Sequence, residues 1–361
     1  MNAAARAFAF TGALVIAAIM GIDAQAAAIM TNTQRDNYVD SLMSRYAGDV
    51  PGASLLVIQD GKAVIRRGYG LADMEKRIKA APATNYRLAS VTKQFTAAGI
   101  MLLNQDGKLH LDDAIRKWLP ELPPSDAAIT IRDLLCHRSG LIDYEDLVPE
   151  DATAQIDDND VLRMIASQRG LYFTPGNAHR YSNGGFVLLG LIIQRVSGMD
   201  LADFMKQRIF TPLGMNHTLM YEHSHGPQVS DRAYGYSEAN GKWTQTDQSV
   251  TSATRGDGGI YSNIDDFTRW DAALYDNRLL NDASRKLLFG SHDPLDDPDT
   301  DYGFGWRISG DTVWHSGESM GFRNVIIRWP QQHVSVVILS NRNHFNPYPL
   351  ALAIGELFLP R

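Results

Sequence analysis

Apolar and polar positions alternate along this chain with two different periods, and the changes of period divide it. Over residues 33–46, Tyr38, Leu42 and Tyr46 recur every four residues, the spacing of a helix that buries one face. Residues 53–59 and 63–69 are instead dense in β-branched and apolar side chains. Asp60-Gly61 separates them, a dipeptide suited to a tight hairpin turn. Helical periodicity returns over residues 90–103, 112–118, 131–136, 161–167 and 184–210, the last with a break near Gly198. Residues 302–308, 325–329 and 334–339 read as strands, the last two joined around Pro330, and residues 350–358 read as a closing helix. Strands at both ends with helices between predict an α+β fold. One antiparallel sheet is built from both chain ends and flanked by helices, with a helix-rich lobe inserted at roughly residues 100–250.

Composition narrows the function classes. A hydrophobic content of 44% with 21% charged residues is that of a globular protein with a large core. The formal net charge is −7 and no dense run of Lys or Arg forms a phosphate-binding stripe, which argues against nucleic acid as a partner. Two acidic clusters, Asp157-Asp158-Asn159-Asp160 and residues 293–301, lack the central Gly and closing Glu of a calcium loop and read as solvated loops or helix starts.

The N-terminus carries Arg6, an apolar stretch over residues 7–22 and then Ala24-Gln25-Ala26, the pattern of a signal peptide with an A-x-A cleavage site. Residues 1–26 are expected to be removed, leaving 27–361 as one exported domain, periplasmic or secreted. The apolar stretch falls short of the ~20 residues a membrane-spanning helix needs, so no stable anchor is expected after cleavage. With Cys136 as the only cysteine, no intramolecular disulfide can form.

Ser90-Val-Thr-Lys93 sets a hydroxyl and an amine three residues apart at the start of a predicted helix, where both project from one face. A serine is a poor nucleophile until a base takes its proton. Lysine can serve as that base once its environment lowers its pKa from about 10.4. Backbone N–H groups at the helix start would stabilise charge developing on a substrate carbonyl. Alone, the spacing is equally that of a helix cap followed by a surface lysine. Two further groups change this reading: Tyr181-Ser182-Asn183 and His315-Ser316-Gly317 follow in order downstream.

Together the three groups resemble the signature of the serine β-lactamase, DD-peptidase and family VIII esterase superfamily, in the class C-like form with Tyr-x-Asn as its second element. The likeness extends through residues 129–141, Pro212-Leu-Gly-Met215, Gly258-Gly-Ile-Tyr-Ser262 and Gly321-Phe322, and spans about residues 51–342.

The resemblance implies that Ser90 is the acylated nucleophile and Lys93 its activator, with Tyr181 shuttling protons and His315 completing the catalytic set. Asn183, Ser316 and Gly317 would hold substrate, and the backbone N–H groups of Ser90 and Glu318 would form the oxyanion hole. Tyr-x-Asn also occurs at Tyr261 and Tyr275. Tyr181 is preferred because it follows Thr174-Pro-Gly and opens the long apolar helix, whereas Tyr261 lies in a segment that is usually structural in the superfamily.

His315 departs from the lysine of β-lactamases. An imidazole with pKa near 6.5 is largely neutral above about pH 7.5 and would charge toward pH 6, so its grip on anionic substrates should be weak and pH-dependent. The implied activity is hydrolysis of an ester or of a D-amino-acid amide or peptide through an acyl-enzyme. A class C-type β-lactamase and a non-hydrolysing penicillin-binding sensor are the alternatives. Partners are thus a small-molecule ester, a D-alanyl peptide or a β-lactam, with no cofactor and no metal. Gly317-Glu-Ser-Met-Gly321 also fits the G-x-S-x-G nucleophile elbow, but no acid followed by a histidine lies beyond Ser319 to complete a triad. His223, His225 and His137 lack a third ligand at metal-binding spacing. Loops 143–158 and 221–252 are expected to wall the pocket.

Overall fold

The computed structural model describes residues 30–222, 226, 228–290 and 300–360. The expected signal peptide, His223, His225 and most of the acidic cluster at 293–301 lie outside these residues.

Helix α1 (Asn32–Leu42) starts at Thr31, whose hydroxyl accepts the Gln34 N–H while the Gln34 side chain accepts the Thr31 N–H, a reciprocal cap. Strands β1 (Ala53–Gln59) and β2 (Lys62–Tyr69) then form the expected hairpin. Asp60 and Gly61 both take positive φ, 51° and 73°, as a two-residue turn requires.

The sheet is completed from the other end of the chain by β3 (Asp301–Tyr302), β4 (Arg307–Ser309), β5 (Thr312–Ser319), β6 (Phe322–Trp329) and β7 (Val334–Ser340). Its order is β3-β4-β5-β6-β7-β1-β2, with every neighbour antiparallel. Leu55, Ile338 and Val325 share one register row, and their side chains pack with α1 and the closing helix α9 (Tyr348–Glu356) through Val39, Met43, Ala351 and Ile354. The next row, Leu56, Val337 and Ile326, points the other way into the second core. Both faces are covered, so β1 and β7 read as nearly continuous apolar runs instead of alternating ones.

The second core is roofed by α2 (Lys93–Gln105), α3 (Ile131–Leu135), α4 (Asp158–Ala166), α5 (Asn183–Ser197), α6 (Leu201–Met205), α7 (Ile264–Ala273) and α8 (Asp282–Leu288). Among the described residues no single helix is long and apolar enough to cross a membrane. Asp157 caps α4 by accepting the Asp160 N–H, so this acidic cluster is a helix start, as its composition suggested.

Two expectations differ from the structure. Residues 112–118 contain only a single 3₁₀ turn, Ile115–Lys117, because backbone bonds from Ile115 to Ile129, Ile131 to Asp113 and Arg132 to Leu111 draw this stretch into an extended pairing. Residues 302–308 are not one strand. The chain reverses around Gly305, φ 74°, so that Arg307 stands beside Tyr302 in an antiparallel pair.

Candidate active site

Ser90 lies in a 3₁₀ turn, Ala89–Thr92, that feeds directly into α2. Ala89 holds φ at 50°, a left-handed conformation that costs energy for a residue with a Cβ and persists only where surroundings enforce it. They do so here. Leu88 N–H donates to Ile260 O at 2.8 Å, and the Asn324 amide donates to the carbonyls of Arg87 and Leu88 at 2.9 and 3.2 Å. Strand β5 presses against the same turn at Gly317, where an added Cβ would lie 2.1 Å from Leu88 O. Glycine at this position therefore sets the distance between the strand edge and Ser90.

One helical turn on, Lys93 is fully buried. Its Nζ lies 3.1 Å from Ser90 Oγ, 2.6 Å from Asn183 Oδ1 and 3.0 Å from Asp257 O, three acceptors for the three donors of an ammonium group. The rings of Tyr181 and Phe186 flank it at 4.9 and 5.5 Å. Among the described residues no carboxylate forms an ion pair with it. Asp257 gives Lys93 its backbone oxygen and turns its carboxylate to the Tyr144 hydroxyl at 3.1 Å. Burial pushes the Asp257 carboxyl above the usual range, and Lys93 partly opposes this.

Tyr181 and Asn183 flank Ser182, the cap of α5, and that turn is gripped from both sides. The Ser182 N–H donates to His137 Nδ1 at 3.1 Å; its hydroxyl donates to Asp143 Oδ2 at 2.6 Å, which also accepts the Gly184 N–H at 3.1 Å. The His137 ring lies 4.3 Å from that of Tyr181. Burial, with Lys93 next in weight, drives the His137 pKa well below its ordinary value, so the ring is neutral and its Nδ1 is free to accept.

His315 sits on β5 with its ring buried. Its Nδ1 is 2.6 Å from Ser316 O; a carbonyl only accepts, so Nδ1 carries the proton and Nε2 accepts from the Tyr302 hydroxyl at 3.0 Å. Burial, followed by the charges of Arg307 and Lys93, holds its pKa well below 6.5. This corrects the expectation of a ring that charges near pH 6, which assumed a solvated imidazole. Ser316 is half-buried, and Glu318 is exposed with its carboxylate paired to Arg323.

The other candidates fall outside this cluster. Tyr261 is buried and its hydroxyl accepts from Arg232 at 3.1 Å. Tyr275 stacks on His333 with centroids 4.7 Å apart. Ser319 ends β5 at a hairpin that leads into β6, not into the helix that a nucleophile elbow requires. Among the described residues no cluster of His, Cys, Asp or Glu could hold a metal.

The family model for beta-lactamase matches residues 32–357. The chain belongs to the beta-lactamase family. It is similar to penicillin-binding protein 4* of Bacillus subtilis, 34% identical over 318 residues that cover 83% of this chain and 70% of that protein. It is also similar to protein flp of Staphylococcus aureus, 30% identical over 309 residues, and spans 82% of its own length but only 60% of flp. Among solved structures, the D-amino acid amidase of Ochrobactrum anthropi superposes with a TM-score of 0.77 at 27% identity, covering 90% of this chain and 97% of that one.

Sequence reasoning about this beta-lactamase family member did not single out Asp143, Asp257, Tyr302 or Arg307. Asp143 and Tyr144 stand just past the family-like run at 129–141, and Asp257 directly precedes Gly258-Gly-Ile-Tyr-Ser262. Arg307 carried no motif.

Proposed function

We propose that the protein is a serine hydrolase that passes through an acyl-enzyme on Ser90, acting on an ester or a D-amino-acid amide or peptide. The observation that carries this reading is the buried Lys93 amine 3.1 Å from Ser90 Oγ, beside Asn183 and the Tyr181 ring. As an ammonium, Lys93 donates to Oγ. Once it has lost a proton, the same contact lets it accept from Oγ–H as serine attacks the carbonyl.

The backbone N–H groups of Ser90 and Glu318 are the proposed donors to the resulting oxyanion. The bond from the carbonyl carbon to the leaving oxygen or nitrogen then breaks, and the proton taken from Ser90 reaches the leaving group through Tyr181. Water adds to the acyl carbon, its proton returns along the same route, and Ser90 is released as the acid departs. Asn183 shares its Oδ1 with Lys93 and its NH₂ acts on the Glu145 carboxylate; the same NH₂ is the proposed contact for the acyl portion of the substrate. His315 takes part by fixing the strand edge through Tyr302 and Ser316, as a neutral ring.

A relative named as a penicillin-binding protein and a structural neighbour named as a D-amino acid amidase support a D-amino-acid amide or peptide as substrate. Export fits such a substrate. The test is a panel of nitrophenyl esters, D-alanyl peptides and a chromogenic cephalosporin with residues 27–361. Esters or D-alanyl compounds should give the highest kcat/KM; fastest turnover of the cephalosporin would make the protein a β-lactamase, and binding without turnover would make it a sensor.

A further inference from the structure

One residue holds Tyr181 in three ways. The Arg180 N–H donates to the backbone oxygen of His137 at 3.0 Å and the Ser182 N–H donates to its Nδ1 at 3.1 Å, so both chain neighbours of Tyr181 end on His137. The imidazole then lies against the Tyr181 ring itself, with centroids 4.3 Å apart. The rings of Tyr302 and Phe186, at 4.6 and 5.1 Å, pack around it, and His137 is 1% exposed.

The backbone at His137 is strained. Helix α3 ends in two bonds, Arg138 N–H to Asp133 O at 2.7 Å and His137 N–H to Leu134 O at 3.2 Å, which set His137 just past the helix at φ 60°. Glycine takes that left-handed position freely, and a residue with a Cβ does not. The ring also buries an unmet polar group. Because Nδ1 accepts, the proton of the neutral imidazole is on Nε2, and this atom has no hydrogen-bond partner among the described residues. Backbone strain and an unsatisfied donor are both unfavourable, so neither helix termination nor core packing favours a histidine here. The hold on Tyr181 is what the side chain accomplishes.

We infer that His137 is a positioning residue for Tyr181: its carbonyl and Nδ1 fix the chain on both sides, and its ring fixes the phenol so that the hydroxyl meets the leaving group. With Nδ1 engaged by a backbone N–H, the imidazole is not itself a base in the reaction. The inference rests on the assignment of Tyr181 as the proton shuttle above. It predicts a dependence on the leaving group. Nitrophenolate departs as a stable anion and needs no proton, whereas an alkoxide must be protonated as it leaves.

The experiment compares the 4-nitrophenyl and benzyl esters of one acid by kcat/KM, which is set by the steps up to acylation. Two substitutions suit the left-handed backbone: His137→Gly removes the ring, and His137→Asn keeps an oxygen acceptor near the place of Nδ1. His137→Gly should lower kcat/KM about 30-fold for the benzyl ester and less than about threefold for the nitrophenyl ester, part of the effect of a lost general acid. His137→Asn should recover part of the benzyl ester activity. Labelling of Ser90 by a fluorophosphonate, whose fluoride leaves without a proton, should persist in His137→Gly. Equal losses on the two esters, unchanged benzyl ester activity in His137→Gly, or loss of the label overturns the inference.

Tyr181→Phe separates this inference from the reading beneath it. It should show the same selectivity, and His137→Gly should add little to it, because both act through one hydroxyl. If Tyr181→Phe affects the two esters alike, the shuttle is misassigned and the inference falls with it. If Tyr181→Phe is selective and His137→Gly still multiplies its loss in full, the histidine acts elsewhere and the inference alone falls.

Discussion

Two of the buried basic side chains, Arg328 and Lys93, are held in opposite ways. Arg328, on β6, is 1% exposed and donates from Nε to Asp271 on α7 at 2.7 Å; Asp271 also accepts the Ser335 hydroxyl at 2.7 Å. Lys93 is equally buried, yet its three contacts are a hydroxyl, a side-chain amide and a backbone carbonyl, all neutral. A carboxylate partner fixes a proton in place, because removing it would strand a buried negative charge. Neutral acceptors impose no such lock. The first arrangement fastens α7 to the sheet, and the second sets the amine against the Ser90 hydroxyl, the contact on which the proposed mechanism rests.

The comparison breaks apart most visibly under paired substitutions. Lys93→Met should lower kcat by about 10³-fold, the scale of a lost general base, while removal of a buried charge offsets the loss of its contacts and stability changes by less than about 2 kcal/mol. Asp271→Ala should do the reverse. It leaves Arg328 buried and unpaired, a loss of about 3–5 kcal/mol by denaturant unfolding, while the protein that remains folded keeps its specific activity. An inactive but stable Asp271→Ala protein would place that pair in the chemistry.

Tyrosines give a second, smaller contrast. Tyr181→Phe removes only a hydroxyl and should reduce kcat by about 10²-fold. Tyr261→Phe, in the repeated Tyr-x-Asn pattern but bonded to Arg232, should stay within about threefold of wild type. Equal losses at both would mean that the proton shuttle lies elsewhere.

These contrasts also show what could be read from the chain before its fold was known. The hairpin at Asp60-Gly61, the strands β6 and β7 and the three motif groups are local in sequence, so periodicity and turn chemistry reveal them. The state of His315 is not local. It depends on Tyr302, thirteen residues upstream, and on enclosure by elements that no spacing rule connects, so an ordinary pKa was the natural assumption and the fold overrides it. The charge of Arg307 beside His315 was hidden for a related reason. It comes from the chain reversal at Gly305, which sets Arg307 beside Tyr302 and leaves no pattern in sequence.

The two histidines give the mildest predictions. The fold keeps His137 and His315 neutral, whereas the unfolded chain protonates both below about pH 6.5. The unfolded state then binds more protons, so stability is fully present above that pH and declines as the pH falls through it. The two rings thus lower the melting temperature between pH 7 and pH 5, against the buried carboxyls of Asp158 and Asp257, whose raised pKa acts in the opposite sense, and His315→Gln should lose less stability than wild type over that range. The ratio of cephalosporin to neutral-ester turnover, a preference that a charged ring would raise, should change by less than about twofold between pH 7.5 and pH 6, because His315 does not gain a charge. A preference that climbs on acidification would mean that His315 charges after all.

On the proposed mechanism Lys93 activates Ser90 from among neutral contacts. The most direct test treats residues 27–361 with a fluorophosphonate and locates the adduct by mass spectrometry of the digested protein. One adduct is expected, on the peptide bearing Ser90, with loss of labelling in Lys93→Met. A label on Ser319, or undiminished labelling of Ser90 without Lys93, would contradict it.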